Sequence, residues 1–552
     1  MSSKRVLIVG GVAGGASCAA RLRRMDERAE IYIFERSGDV SFANCGLPYY
    51  IGGAITDRRR LLVATPERFR DFFNIEVRTR HEVRNIDRPN QTIEVRNVAT
   101  GAVAVERYDA LVLAPGAEPL RPPLPGIDQP GIFAVRNMDD VDQIHAWIDH
   151  RRVIRAVVVG GGYIGLEMAE NLSRRGISVT LLELAEQVML PADAEMVEPL
   201  HEELKRQGVD LRLGDAVTAF EPGPRETITV VAQHDERFSA DLVILGMGVR
   251  PDTKLARAAG LEIGPSGGIR VDDQMRTSDP HIFAVGDAVE VRNFVTGRPA
   301  LVPLAGPANR QGRVAADAIC GRDAHFRGSQ GTAVVGVFDL TFAMTGETEK
   351  SLRAGGIAFE KSYVHPTHHA SYYPGAERIS LKLLFSPDSG RVLGAQAVGR
   401  AGVEKRIDVL AMAIQMKATV FDLEEAELCY APQYGSAKDP VNLAGFVAAN
   451  ILRGDVRVGH WSEWKRRQAS GDGPLTLDVR PATAVAAEAI PGTIRIPFGE
   501  LRARLGELPR DREIWVHCVV GQTSYHAVRL LEQHGFKVRN ISGGITSYKM
   551  EA

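Results

Sequence analysis

Residues 4–24 read KRVLIVGGVAGGASCAARLRR, and the same grammar returns at 155–176 as RAVVVGGGYIGLEMAENLSRRG. Each copy is a short apolar run without polar alternation, then a glycine turn, then a helix. Such a strand suits the middle of a parallel sheet covered on both faces. AEIYIFER (29–36) and ISVTLLE (177–183) supply the next strand of each copy. In a dinucleotide-binding loop the first glycine makes the tight turn and the second lets a pyrophosphate approach. The third lets helix and strand pack closely, with the helix N-terminus facing the phosphates. In the first copy, which runs Gly10, Gly11, Val12, Ala13, Gly14, Gly15, Val12 takes the middle position and makes the pattern imperfect, with Gly10, Gly14 and Gly15 as the expected cofactor glycines; Gly160, Gly162 and Gly165 fill all three roles in the second. Glu35 and Glu183 end the second strands, where a carboxylate accepts ribose hydroxyls. Glu183 favours NADH, because it repels the extra phosphate of NADPH and no basic residue follows at once; NADPH stays open.

The chain has 552 residues, enough for three or four domains at about 150 residues each. Lys plus Arg total 67 against 69 Asp plus Glu, a net charge of −2, so neither nucleic acid nor an anionic membrane surface is the expected partner. The five cysteines (Cys18, Cys45, Cys320, Cys429, Cys518) are odd in number and widely spaced with no CxxC, which argues against a disulfide framework and a zinc site. No metal is expected. No run approaches the roughly 18 apolar residues of a membrane span, and the apolar start runs straight into glycines rather than a cleavage site. A cytoplasmic location is expected.

The predicted class is α/β, with two Rossmann-like domains, an α+β dimerisation domain and a C-terminal α/β domain. The predicted boundaries are 1–120 with 251–330 for the first dinucleotide domain and 121–250 for the second. Residues 331–450 form the α+β domain, 451–472 a polar linker ending in Ser and Gly, and 473–552 the small last domain.

Two loops followed by TSDPHIFAVGDA (277–288) resemble the two-dinucleotide flavoproteins, the FAD- and NAD(P)-dependent disulfide reductases. The resemblance spans residues 4–450 and implies FAD in the first loop, NAD(H) in the second, and Asp287 on the flavin's ribityl chain. Gly116, in the turn ending YDALVLAPGAEP (108–119), joins the cofactor set. Cys45 stands in SFANCGLPYYIGG (41–53). An isolated cysteine is more often a packing thiol. Cys45 differs because it begins a predicted helix, whose dipole favours a thiolate, and follows the FAD loop where the family keeps its redox sulfur. The usual reductases carry a second cysteine five residues on; here that position is Tyr50, so the sulfur must exchange with an external partner as a mixed disulfide, persulfide or sulfenic acid.

The single-cysteine stretch resembles the coenzyme A-disulfide reductase branch. That resemblance implies coenzyme A as substrate or bound ligand. Ser41 and Asn44 would flank the thiol, Arg21 and Arg24 would meet phosphates, and Asn309 and Lys438 would fill further substrate positions. Read from the residues alone, the two arginines equally fit a solvated helix face. The family can supply a substrate lysine around Asp71-Phe72-Phe73, and this chain has none there. The related oxidases and peroxidases place a His in the first loop where this chain has Ala13. In ASYYPG (370–375) and CYAPQYGSAKDP (429–440), Tyr372 and Tyr430 are the expected proton donors, contributed across a homodimer, with Tyr373 and Tyr434 as alternatives.

HCVVGQTSYHAVRLL (517–531) reads strand, cysteine loop, helix, so that successive backbone N–H groups can face the Cys518 sulfur. With LDVR (477–480) and IPGTIRIP (490–497) it resembles a rhodanese domain. Ala489 replaces a frequent His, and Val519 and Val520 leave the loop apolar, which disfavours an anionic sulfur donor. Asp478 and Arg480 are expected as a strand-end ion pair; Cys18, Cys320 and Cys429 are expected as packing residues.

Together these predict NADH-driven reduction of coenzyme A persulfide, polysulfide or coenzyme A disulfide through Cys45, with Cys518 binding or transferring sulfane sulfur. The alternatives are an NADH oxidase or peroxidase working through a Cys45 sulfenic acid, and a sulfur carrier or redox sensor.

Overall fold

The structure, a computed structural model, describes residues 3–485 and 490–551. Ala489 lies outside the described residues. The chain divides into two units, Met1–Val188 with Leu204–Gly331, and Met189–Glu203 with Thr332–Ala552.

In the first unit the strand Arg5–Val9 pairs in parallel with Glu30–Glu35 on one side and Ala110–Leu113 on the other. Glu76–Thr79 and Ile282–Ala284 complete a five-stranded parallel sheet. Val6, Leu7 and Ile8 are fully buried, which is why the strand reads as an unbroken apolar run. The second copy repeats the arrangement: Arg155–Val159 lies between Ser178–Glu183 and Leu242–Leu245, flanked by Asp210–Leu213 and Ile132–Ala134. In both sheets the glycine loop leaves the strand at which the strand order reverses. A crevice opens at such a point, outside the carboxyl ends of the strands.

The second unit holds a five-stranded antiparallel sheet in the order Ala333–Val337, Leu340–Gly346, Val392–Gly399, Ile379–Phe385, Glu360–Val364. It also holds a parallel sheet built on Leu475–Asp478, Ile514–His517 and Val538–Ile541. The stretch expected as a linker, 451–472, is structured. Val458–Gly459 pairs with Val538–Ile541, and the helix Trp461–Ala469 buries Trp461 completely, its indole N–H donating to the Gly544 carbonyl at 2.7 Å. Two tryptophans three residues apart give this charged helix one apolar stripe, enough to seat it on the last sheet. No helix of the described residues is long and apolar enough to cross a membrane.

Candidate functional site

At the first glycine loop the backbone of Gly10 has φ +92°, and a Cβ there would lie 2.1 Å from the Ala114 carbonyl oxygen. Gly160 repeats this, with φ +103° and a Cβ position 2.4 Å from the Gly246 oxygen. Gly15 and Gly165 let each helix pass over its own loop: a Cβ on either would come within 2 Å of the Gly10 or Gly160 carbonyl. The helix Ala13–Met25 has no side-chain cap and no acid in its first turn, so its first N–H groups stay free to meet an anion. Glu35 accepts the Gly11 N–H at 2.9 Å and Glu183 accepts the Gly161 N–H at 2.6 Å. Each carboxylate therefore fixes its own loop while standing at the edge of the crevice.

A cavity of about 520 Å³ opens over the first loop. Gly10, Gly14, Glu35, Gly116, Cys45 and Asp287 all line it. Burial raises the Asp287 carboxyl, with Arg136 opposing, and no described residue hydrogen-bonds it. A glycine cradle, an uncapped helix start and an unpartnered carboxylate fit FAD, with phosphates at the loop and hydroxyls at Asp287.

Cys45 lies in the single 3-10 turn Asn44–Gly46, ahead of a five-residue helix, Leu47–Ile51. Cys45 therefore stands at the start of a helical stretch, as expected. Burial of the sulfur, then the Glu167 and Asp287 carboxylates, push its thiol up, and a hydrogen bond from the Cys45 backbone opposes them. The chain before it is tightly set, with Ser41 at φ +48° donating its N–H to the Gly11 oxygen at 2.8 Å.

Cys45 also lines a second cavity of about 680 Å³ with Ser41, Asn44, Asn309, Arg21, Arg24, Arg68 and Arg313. Arg21 is held by Asp317, Nε to Oδ1 at 2.9 Å, which spends part of its charge. Arg24, Arg68 and Arg313 are exposed and make no ion pair with any described residue. Arg68 and Arg313 were not singled out in the sequence. Arg68 comes from the helix Pro66–Phe73, so that helix supplies a cation just before the positions where a lysine was missing. Also unforeseen are Tyr49, whose hydroxyl donates to Glu167 at 3.3 Å, and Glu167 itself, at the start of the second loop's helix Tyr163–Arg174.

In the second unit Cys518 is buried, and its sulfur accepts the Gly521 N–H at 3.2 Å and the Ser524 hydroxyl at 3.4 Å. One amide and one hydroxyl thus replace the expected run of amides. Asp478 and Arg480 form the expected buried pair, with Arg480 nitrogen to Asp478 Oδ2 at 2.6 Å. His517 is buried with neither ring nitrogen hydrogen-bonded, and burial pushes it down to about 4, so it is neutral at pH 7. The Tyr372 and Tyr430 hydroxyls are 3.0 Å apart and the rings are 74% and 50% exposed. Tyr373 instead packs edge-on against His369. Lys438 is exposed, 5.8 Å from the Phe446 ring. Of the three cysteines expected as packing residues, Cys18 is buried, Cys320 partly so, and Cys429 exposed, because it sits in an irregular segment rather than on a core element.

Residues 4–308 match the pyridine nucleotide-disulphide oxidoreductase family, 332–439 its dimerisation domain, and 461–551 the rhodanese-like domain. A coenzyme A disulfide reductase of Staphylococcus epidermidis is 38% identical over 445 residues, 80% of this chain and 99% of that one. The crystal structure of reduced Bacillus anthracis CoADR-RHD superposes with a TM-score of 0.97 at 47% identity, covering 100% of this chain and 98% of that one. A NAD-dependent persulfide reductase from A. fulgidus gives a TM-score of 0.91 at 36% identity, covering 99% and 100%. The chain belongs to the pyridine nucleotide-disulphide oxidoreductases, carrying their dimerisation domain and a C-terminal rhodanese-like domain.

Proposed function

We propose that this enzyme uses NADH to reduce coenzyme A persulfide, with polysulfide and coenzyme A disulfide as related substrates, through Cys45. The observation that carries this is the position of Cys45 as a wall of two cavities. One has the glycine cradle and Asp287; the other has four arginines suited to the phosphates of coenzyme A.

When bound, the flavin and nicotinamide nucleotide supply the two-electron chemistry. Cys45 as thiolate attacks the S–S bond of the substrate, forming a new S–S bond to itself and releasing the other sulfur as thiol or hydrogen sulfide. Two electrons and a proton then return Cys45 to the reduced state and release the second sulfur. The balance for the persulfide is CoA–SSH + NADH + H⁺ giving CoA–SH + H₂S + NAD⁺. Ser41 and Asn44 shape the wall at the sulfur, and Arg21, Arg24, Arg68, Arg313 and Asn309 hold the distant end. Tyr372 and Tyr430, hydrogen-bonded to one another, serve as proton donors to the leaving thiolate in a homodimer. Glu183 selects NADH over NADPH. Cys518, with two donors to its sulfur and the apolar Val519 at its mouth, carries sulfane sulfur and hands it to the thiol of coenzyme A.

The test is anaerobic NADH and NADPH oxidation by the purified protein with coenzyme A persulfide, coenzyme A disulfide and polysulfide in parallel. The reading requires faster turnover of the persulfide with sulfide release, and NADH preferred. Oxidation of NADH only with oxygen or peroxide present would overturn it.

A further inference from the structure

Within the second unit the rhodanese-like domain is seated on an edge strand of the antiparallel sheet, and the contact runs through to Cys518. Glu360–Val364 is the outer strand of that sheet, and its Tyr363 N–H donates to the Ser542 hydroxyl at 3.1 Å. Two residues on, His365 is buried between two serines, Nδ1 with Ser380 and Nε2 with Ser547, each at 2.9 Å. Burial pushes the imidazole down to about 3, so at pH 7 it is neutral, one nitrogen donating and the other accepting. Gly543 has φ +71°, and a Cβ there would lie 2.8 Å from His365 Nε2. Ser542 and Ser547 bracket a turn that holds the Cys518 loop from behind. The Ile545 N–H donates to the Cys518 carbonyl at 2.9 Å, and Thr546 gives both its N–H and its hydroxyl to the Val519 carbonyl, each at 3.0 Å. Gly544, at φ +58°, leaves no room for a side chain, its Cβ position lying 2.5 Å from the Cys518 oxygen. Both carbonyls thus face the turn. In a trans peptide the following N–H points the opposite way. The Val519 and Val520 N–H groups, in these same two planes, donate to no described residue.

We propose that His365, on the dimerisation domain, is a positioning residue for the sulfur on Cys518: by fixing Ser547 it holds the 542–547 turn, and the turn keeps the Val519 and Val520 N–H groups free for the sulfur atom that Cys518 carries. The sulfur-carrying loop then works only while it is docked on the dimerisation domain. This rests on the reading of Cys518 as a carrier of sulfane sulfur. The loading step is Cys518–SH plus R–S–SH giving Cys518–S–SH plus R–SH, where R is the remainder of a polysulfide. One S–S bond breaks and one forms, the displaced sulfur takes the proton, and no outside reductant is needed. In its ionised form, Cys518–S–S⁻ places charge on the outer sulfur, which free N–H groups stabilise.

The experiment uses the full-length protein with inorganic polysulfide as the sulfur source. It reads hydrogen exchange at the Ile545 and Thr546 amides, and the yield of Cys518 persulfide by mass spectrometry. His365→Asn sets an amide near the Nδ1 position, in reach of Ser380; His365→Gln sets it near Nε2, in reach of Ser547. In His365→Asn and Ser547→Ala, exchange should quicken at least about fivefold, as a buried bond is left unmade, and persulfide yield should fall with it. His365→Gln should stay near the unaltered chain. Turnover of coenzyme A disulfide, which needs no Cys518, reports the rest of the fold and should persist in all three. Equal effects of His365→Asn and His365→Gln, or a parallel loss of disulfide turnover, would show a packing role and overturn the proposal. Unchanged exchange with normal loading would overturn the proposal alone, whereas no sulfur on Cys518 in the unaltered chain would overturn the carrier reading and the proposal with it.

Discussion

Replacing Lys382 by Met should loosen the second unit sharply, and the size of the effect can be worked from its surroundings. Lys382 is fully buried on the antiparallel sheet, its ammonium 2.8 Å from Asp193, 2.5 Å from Glu195 and 2.5 Å from Glu349. The three carboxylates bring one oxygen each within 4.8 Å of one another, so the ammonium occupies the place a metal ion would take. Methionine matches the lysine stem in bulk and removes only the charge. Glu349 keeps Lys361 at 2.6 Å and Glu195 keeps the Tyr363 hydroxyl at 2.8 Å. Asp193 is left with the Gln396 amide and the Glu349 N–H on Oδ2 and nothing on Oδ1. Breaking a buried pair on one side costs about 3–5 kcal/mol. For a body of this size that is roughly 2–4 °C per kcal/mol, so a fall of roughly 6–20 °C in the unfolding midpoint is expected by calorimetry at pH 7. The pH dependence has a definite sign. Burial alone would raise the Glu349 carboxyl, but Lys382 and Lys361 hold it well below the usual range. Its stabilisation is present above the unfolded value of about 4.3 and fades as pH falls through the folded value. The gap between the two proteins should therefore narrow below about pH 4. Adding Asp193→Asn to Lys382→Met should recover part of the loss. A midpoint within about 2 °C of the starting protein, or a gap that widens in acid, would refute the reasoning.

Gly10→Ala should purify with little flavin, because its Cβ would sit 2.1 Å from the Ala114 oxygen in a left-handed backbone; a normal ratio of flavin absorbance to protein would contradict the cradle. Arg68→Ala and Arg313→Ala should each raise KM for coenzyme A substrates roughly two- to fivefold with kcat kept, and equal losses in kcat would show they act elsewhere. Asp478→Ala removes the buried carboxylate that Arg480 meets at 2.6 Å and should destabilise the Cys518 module, seen as earlier proteolysis of residues beyond 460; an unchanged pattern would make the pair dispensable.

The two loops were legible because Gly10 and Gly160 answer a local need, a turn that no side chain fits, and such needs are written in adjacent residues. Asp478 with Arg480 was readable for the same reason. Trp461 was hidden, since a helix of mostly charged residues resembles a tether until its partner sheet is known. The arginines of the second cavity come from three separate helices, and Tyr49 meets Glu167 across 118 residues, so no spacing rule could join them. The helix start at Cys45 was legible, but the carboxylates that oppose its thiolate, Glu167 and Asp287, come from residues far along the chain and were not.

The central claim is that Cys45 carries the reduction. Its most direct test is anaerobic NADH oxidation with coenzyme A persulfide by Cys45→Ser and Cys518→Ser proteins that have retained their flavin. The account predicts that Cys45→Ser abolishes sulfide release, whereas Cys518→Ser still turns over preformed coenzyme A persulfide with one sulfide released per NADH. Sulfide release by Cys45→Ser at the unaltered rate would contradict it.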